Sequence, residues 1–348
     1  MPGVRSSNTL AISLYRISTY LGERVGHSQR IAVVGAGISG LVLAQHLRRQ
    51  GFQVTVFEKS RGPGGRGSTR RRDEGTYDHG LPFFQATTPE FRAVVETWRE
   101  QGWVDVWSPK IHPSSTSRTT NDSASTYWVG VPRMSALSRG LAGDLDAYWG
   151  HRVNRLDRVD ETWLLSCEGG TSESWRFDTV VLTCPGPQAH ALAPTGSCVQ
   201  RRAESLRYTA CWAVMLAFGS ECQSGFDLCT LKHGPVQLLA KESSKPDRVA
   251  GERWVVHASA DWSLANIEAA PEWVCEQLFD AVSHLFGGEP VGAVAHRWRY
   301  ARGMASDGPS CVWDADTNLG LCGDALTTGD VEGAWRSGAG LAAALLGQ

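Results

Sequence analysis

Nowhere in the 348 residues does an apolar run reach the ~18 residues that a bilayer-crossing helix requires. The most apolar segment, Cys211 to Phe218, is short enough for a buried strand, so no membrane span is expected. Nine cysteines are present, but none forms a C-x-x-C pair and none stands at a zinc-site spacing with histidine. With no secretory signal, they read as reduced thiols of a cytoplasmic protein without a metal centre. Neither sign of charge dominates: the formal net charge is -2 and the pI near 6.6, which argues against a nucleic-acid partner. No internal repeat is visible, and no pattern specifies an oligomeric state. The length suffices for two hydrophobic cores.

Acidic residues are missing before Glu23, while arginines and hydroxylated residues are frequent there. Residues 1–29 are therefore expected to form a disordered extension outside the fold, with two readings open: an organellar targeting segment or a misassigned upstream start. The Ser/Thr-rich stretch from Ser108 to Thr126 reads as an exposed connection far from any ligand.

What is present is a signature in three parts. In IAVVGAGISG, Ile31 to Val34 read as a buried strand, and Gly35, Gly37 and Gly40 make a tight turn into a helix. Gly35 permits the turn, Gly37 lets the backbone approach a pyrophosphate, and Gly40 lets helix and strand pack; Ser39 lies in the same turn. Leu41, Ala44 and Leu47 continue the helical face, and Gly51 is placed to end it. Val54 to Phe57 form a second strand that delivers Glu58, whose carboxylate can accept both hydroxyls of an adenosine ribose and disfavours a 2′-phosphate.

The second part, EKSRGPGGR, adds Lys59, Gly64, Gly65 and Arg66. It resembles the flavin amine oxidase superfamily, which moves the reading from a general dinucleotide to FAD. The resemblance implies that the paired glycines wrap over the cofactor and that Arg66 lies along its pyrophosphate, where a planar cation suits phosphate oxygens. The following Arg70, Arg71 and Arg72 read instead as a solvated face.

The third part is LCGDALTTGDVEGAW. An apolar strand through Leu319 and Leu321 ends in Gly323 and Asp324, and a helix starts near Val331, followed by Glu332 and Gly333. By resemblance, Asp324 accepts from the ribityl chain, and the helix N-terminus faces the flavin pyrimidine ring. Gly333, Ser337 and Gly340 are expected to allow close packing.

The expected fold is α/β: a Rossmann-type FAD-binding domain, similar to amine oxidases and p-hydroxybenzoate hydroxylase, with an inserted α+β substrate domain. Residues 30–84, 131–190 and 296–348 are assigned to the first, and 85–130 and 191–295 to the second. A helix over Arg133–Ala142 and strands near Val153, Trp163 and Val180 belong to the former, with Val153 facing adenine. The substrate domain is expected to hold strands at Trp212–Phe218 and Trp254–Ala258 and a helix at Pro271–Leu285.

Several longer segments, YWVGVPRMSAL from Tyr127, CWAVMLAF from Cys211, SKPDR from Ser244, WVVHASADWS from Trp254 and HRWRYAR from His296, resemble bacterial renalases over nearly the whole chain from Arg30. That family binds FAD noncovalently and oxidises 2- and 6-dihydro isomers of NAD(P), passing hydride to flavin and electrons to O2 with release of hydrogen peroxide. The resemblance therefore implies a dihydronicotinamide nucleotide as substrate. Such chemistry needs no catalytic acid or base, because loss of hydride restores an aromatic ring; the protein must position the ring and exclude water. His257, Trp262, His296, Arg297, Trp298 and Tyr300 are the substrate-pocket candidates, although with 14 tryptophans any one reads equally as a core anchor.

Only one glycine fingerprint exists, so a dinucleotide substrate would bind in the second domain. The strip Asp78-His79-Gly80-Leu81-Pro82-Phe83-Phe84 departs from the family pattern D-x-G-A-Q-Y; Gly80 and Leu81 are expected along the flavin, with Pro82 lacking a donor and Phe83 a hydroxyl. Two alternatives stay open, an amine or polyamine oxidase and a non-catalytic FAD-binding redox sensor. A carotenoid-desaturase-like role is disfavoured because no apolar membrane-docking segment is present.

Overall fold

The computed structural model describes residues 29–115, 126–168, 175–222 and 224–347. Residues 1–28 and most of the Ser/Thr-rich connection lie outside them, and with them the readings made there.

The fingerprint opens the fold as β1 (Arg30–Val34), α1 (Ile38–Arg49) and β2 (Gln53–Glu58). Every residue of β1 after Arg30 is buried, because the strand is covered on both faces, as parallel sheets are. Gly51, at φ +88°, ends α1 as its position suggests. A hairpin follows, β3 (Arg70–Arg72) and β4 (Gly75–Tyr77), then α2 (Pro89–Glu100), β5 (Val104–Trp107), β6 (Tyr127–Gly130), α3 (Ser135–Ala142) and β7 (Asp146–Trp149). Three antiparallel strands, β8 (Arg152–Val159), β9 (Thr162–Glu168) and β10 (Trp175–Phe177), lead to β11 (Thr179–Leu182), α4 (Gly186–Leu192) and α5 (Cys198–Ser205).

The second half begins with β12 (Tyr208–Phe218), β13 (Leu228–Thr230), β14 (Val236–Lys241) and β15 (Glu252–Ala258). It continues through α6 (Ala260–Ala265), α7 (Pro271–Asp280) and β16 (Gly292–Gly303), and closes with β17 (Cys311–Asp314), β18 (Leu319–Cys322) and α8 (Val331–Leu345).

Two sheets organise the molecule. One has the order β17-β18-β11-β1-β2-β7, parallel except for β17; the last strand of the chain thus returns beside the first unit and brings Gly323 and Asp324 to the sheet's C-terminal edge. The other, antiparallel, has the order β13-β14-β15-β12-β16. Its Trp212, Val214 and Leu216 face α7, whose Val274 and Leu278 fill the same core; fully burying such a side chain contributes about 1.5–3 kcal/mol. Its opposite face, through Met215 and Val255, packs on Tyr77 of β4.

The observed packing differs from the expected partition in three places. The break expected at 296 falls inside β16, which pairs with β12 from Gly292 through Gly303. Residues 85–130 share a core with β1 and α1: Phe91, Val95 and Trp98 of α2 belong to the same cluster as Ile31 and Leu41. Val199 and Ala203 of α5 pack with Ala32 and Leu321 rather than with the antiparallel sheet. In the last two cases an amphipathic helix is recruited by the nearest apolar face, a choice that sequence order does not specify. The helix expected from Arg133 starts at Ser135, and that expected to reach Leu285 ends at Asp280, followed by a short 3-10 turn.

Candidate functional site

The three motifs converge on one cleft of about 1570 Å³. Gly35 has φ +117°, and a Cβ there would stand 2.6 Å from Thr183 Oγ1, so the turn requires glycine. At Gly37 and Gly323, by contrast, an added Cβ would meet no protein atom within 4 Å. Both glycines border the cleft, so the open space beside them is room for a ligand approaching the backbone. The N-terminus of α1 has neither a capping side chain nor an acid in its first turn, which leaves its amides and positive dipole end for an anion.

Glu58, the last residue of β2, is buried and accepts from the amides of Ala36 (2.9 Å) and Ser60 (2.7 Å). These bonds fix the carboxylate at the cleft wall beside the fingerprint. On the opposite side Asp324 and Arg66 form a bidentate pair, Nη1–Oδ2 2.8 Å and Nη2–Oδ1 2.5 Å, with Arg66 also donating to the Ala301 carbonyl. Burial opposes both charges, but each partner's field outweighs it: the Asp324 carboxyl is held below its ordinary pKa and the Arg66 guanidinium above. Arg66 is thus turned toward Asp324, where the resemblance implied contact with a pyrophosphate.

Most cofactor-binding expectations fall on the cleft wall: Gly35, Gly37, Ser39, Glu58, Lys59, Gly64, Gly65, Arg66, Gly80, Leu81, Val153, Gly323, Asp324 and Val331 all border it. Gly40, Glu332 and Gly333 do not. Gly40 is enclosed by the Gly35 carbonyl and Thr183. Glu332 accepts from Thr87 N and Oγ1 and from Thr88 N, tying α8 to the start of α2. Gly333 N donates to Asp330 Oδ1, the N-cap of α8.

The substrate candidates separate by strand alternation on β16. His296 and Trp298 lie on the face toward the Asp78–Phe84 strip, with His79 4.8 Å from His296 and 5.0 Å from Trp298, centroid to centroid, whereas Tyr300, beyond a register shift in the β12–β16 pairing, borders the cleft and packs edge-on against Tyr208 at 5.5 Å. A Cβ on Gly80 would meet the Trp298 ring at 2.7 Å, so glycine there is a packing requirement. Arg297 points the other way, bonding Glu268 at 2.8 Å and stacking over Trp212, and is not available to a substrate at the His79 end. Trp262 is stacked on Trp273 and packs in the antiparallel-sheet core, away from the cleft. His257 does not border the cleft; its Nε2 meets the His79 carbonyl at 2.8 Å, so it supports the strip from behind. Pro82 and Phe83 are also off the cleft: Phe83 packs edge-on against Tyr127 at 4.9 Å.

Sequence reading gave no weight to His79 or to the ions beneath it. Asp78 is fully buried and takes hydrogen bonds from Thr69 (2.7 Å), Met134 N (3.0 Å) and Arg248 (2.6 Å), with Lys245 at 3.5 Å. Lys245 also bonds Glu242 at 2.6 Å. The SKPDR segment is therefore a counter-ion set that pins the strip. A carboxylate followed by histidine in an otherwise apolar strip was the available signal. Burial, then His296 and Arg70, push the His79 pKa down to about 3, and burial pushes His257 to about 4, so both rings are neutral at neutral pH.

Residues 33–100 match the NAD(P)-binding Rossmann-like domain, and residues 103–346, most of the chain, match the flavin-containing amine oxidoreductases. Locally, the chain is 54% identical over 52 residues to a zeta-carotene-forming phytoene desaturase of Myxococcus xanthus, covering 15% of this chain and 10% of that enzyme. It is 46% identical over 66 residues to a 4,4'-diapophytoene desaturase of Staphylococcus haemolyticus, covering 19% and 13%. Each match thus spans about a tenth of the relative's length. Over 92% of its length the chain superposes on a candidate protoporphyrinogen oxidase from Exiguobacterium sp. 255-15, covering 100% of it at TM-score 0.73 and 14% identity. Wild-type putrescine oxidase bound to putrescine superposes at TM-score 0.69 and 13% identity, covering 92% of this chain and 100% of that one. At such identities these two show the fold alone. The family match over most of the chain, on a cleft whose glycines and uncapped helix suit a dinucleotide, makes this chain a member of the flavin-containing amine oxidoreductase family, an FAD-dependent oxidoreductase.

Proposed function

We propose that this oxidoreductase takes an anionic dihydronicotinamide nucleotide, a 2- or 6-dihydro form of NAD(P), as in the renalase group. The observation that carries this reading is the charge of the cleft. Ten Lys and Arg border it against four acids (Glu58, Glu168, Asp324 and Asp330); Arg297 and Arg299 are turned to Glu268, and Arg66, Arg72 and Arg152 are paired, which leaves Lys59, Arg61, Arg70, Arg71 and Arg139 without a salt bridge among the described residues. The acids are already engaged: Glu58 by amides, Asp324 by Arg66, Asp330 as a helix cap and Glu168 with Arg152 at 3.4 Å. Such a cleft attracts phosphates and repels a polyamine cation.

In this reading FAD is held noncovalently. Glu58 meets the adenosine ribose, Val153 the adenine, and the amides at the start of α1 with the Gly64–Gly65 loop the diphosphate. Asp324, with lone pairs to spare beyond Arg66, accepts from the ribityl chain. FAD supplies a two-electron acceptor that oxygen can reoxidise. Overall, a dihydropyridine, O2 and one proton give the pyridinium and hydrogen peroxide. The residues of this chain position the ring: Trp298 and Tyr300 form an aromatic wall, and the neutral His79 and His296 offer hydrogen bonds to a carboxamide without adding charge beside the developing pyridinium.

Oxygen uptake by the FAD-loaded protein tests it. One peroxide per dihydronicotinamide consumed is expected, with no uptake on putrescine; uptake on amines alone overturns the reading in favour of amine oxidation.

A further inference from the structure

Among the described residues, most of the arginines grouped beside the cleft form no salt bridge. Arg70, Arg71 and Arg72 of β3 are exposed and border the cleft, and only Arg72 is paired, with Glu74 at 3.0 Å. Arg139 of α3 borders the same cleft, and Arg133 precedes that helix. Among the described residues, Arg70, Arg71, Arg133 and Arg139 form no salt bridge.

The charges nearest Arg133 are mostly of its own sign. Partial burial, then Arg71, Arg139 and Arg248, hold its guanidinium pKa below the ordinary value, and its Nε is buried without a hydrogen-bond partner. Arg248 brings no relief from its own side, since it is itself committed to Asp78 at 2.6 Å. Clustered guanidinium groups repel one another unless an anion sits among them, and their forked donors match phosphate oxygens.

We propose that Arg71, Arg133 and Arg139 form a binding site for a phosphate or diphosphate group of a ligand other than FAD. Alternation along β3 separates the two sides of the hairpin. Arg70 acts on His79 and His296, while Arg71 and Arg139, which both border the cleft, act on Arg133. A ligand whose phosphate rests on Arg71, Arg133 and Arg139 therefore reaches past Arg70 to the His79–His296 end with its uncharged part. That arrangement suits a nucleotide. Naming the ligand a dihydronicotinamide nucleotide rests on the function proposed above; the anion site itself stands on the arginines alone.

The test is calorimetric titration of inorganic pyrophosphate into the FAD-loaded protein, for wild type, Arg71→Gln and Arg71→Gln/Arg139→Gln. One pyrophosphate per chain is expected for wild type, with affinity at least tenfold weaker in the double variant and flavin content unchanged. Glutamine keeps the stem and hydrogen-bonding capacity, and both positions are exposed, so folding is not at issue. Three results overturn the proposal: no binding to the FAD-loaded protein, equal binding by all three proteins, or loss of flavin from the double variant, which would assign the arginines to the cofactor. Because no turnover is involved, the outcome is independent of which substrate the flavin oxidises. If dihydronicotinamides fail as substrates while pyrophosphate binds as expected, the site stands and only the ligand's name falls.

Discussion

Glu58 and Asp324 meet the cleft through different means, one fixed by backbone amides and the other by a half-buried arginine. Removing Glu58 leaves the Ala36 and Ser60 amides without their acceptor and deletes the proposed ribose contact. Glu58→Ala is therefore expected to weaken FAD retention at least about tenfold, since a hydrogen bond to a charged group contributes about 1.5–3 kcal/mol; flavin absorbance after gel filtration measures it. The histidines give a pH dependence. His79 and His257 are held neutral, with pKa pushed to about 3 and about 4 from an unfolded value near 6.5. Below pH 6.5 the unfolded chain takes up protons that the folded chain refuses, so stability falls as pH drops from 6.5 toward 4 and the loss is complete only below the folded values. The melting temperature of His257→Gln should fall less steeply than that of wild type between pH 6.5 and 4; parallel curves would remove this assignment. The motif residues Gly35, Gly37 and Glu58 were legible because each does a local job that spacing encodes. His79 was not, because its environment is made by β16 and the SKPDR segment, more than 160 residues away in the chain.

At the level of elements, α8 lies against α1, and the contact depends on one glycine that the sequence reading passed over. A Cβ on Gly338 would collide with the Ser39 carbonyl, which cannot move without displacing the fingerprint turn. Gly340, expected to serve this purpose, has its nearest neighbour, Ser310 Oγ, at 3.4 Å. Gly338→Ala should cost about 1–3 kcal/mol of stability as an overpacking change and reduce FAD retention with it. Gly340→Ala should be neutral or stabilising by up to about 1 kcal/mol through helix propensity, and thermal melts of the pair compare them directly. Helical small residues were visible in the sequence, but which of them faces α1 depends on the rotation of α8, which is set by Ser337 bonding the Ser310 carbonyl and the Gly323 amide. Strand and helix identities were legible for the same reason that periodicity works: the β1-α1-β2 unit and β12 follow their apolar patterns closely. The assignment of α2 and α5 to a domain was not, because amphipathicity states that a face is buried without stating against what.

For the whole molecule, the C-terminal strand β18 returns to the first unit and the antiparallel sheet closes over it, so that residues from both ends of the chain build one cleft. What joins the layers is the buried set Asp78, Glu242, Lys245 and Arg248, linking the strip to the end of β14. Burial pushes the Glu242 carboxyl up to about 7, while the two cations hold Asp78 low despite its burial. Asp78→Asn leaves buried cations short of an anion and should destabilise by about 3–5 kcal/mol, seen as a lower urea midpoint, with loss of the strip's position lowering FAD content as well. The charge of the cleft is the property that separates nucleotide from amine chemistry, and it emerges only when the arginines of β3 and α3 are brought together; along the chain those of β3 read as a solvated run. The most direct measurement is therefore anaerobic mixing of the FAD-loaded protein with 2- and 6-dihydro-NAD isomers and, separately, with putrescine, following flavin absorbance in time. Rapid bleaching by a dihydronicotinamide isomer and none by putrescine is expected; bleaching by putrescine alone, or by neither, would contradict the account.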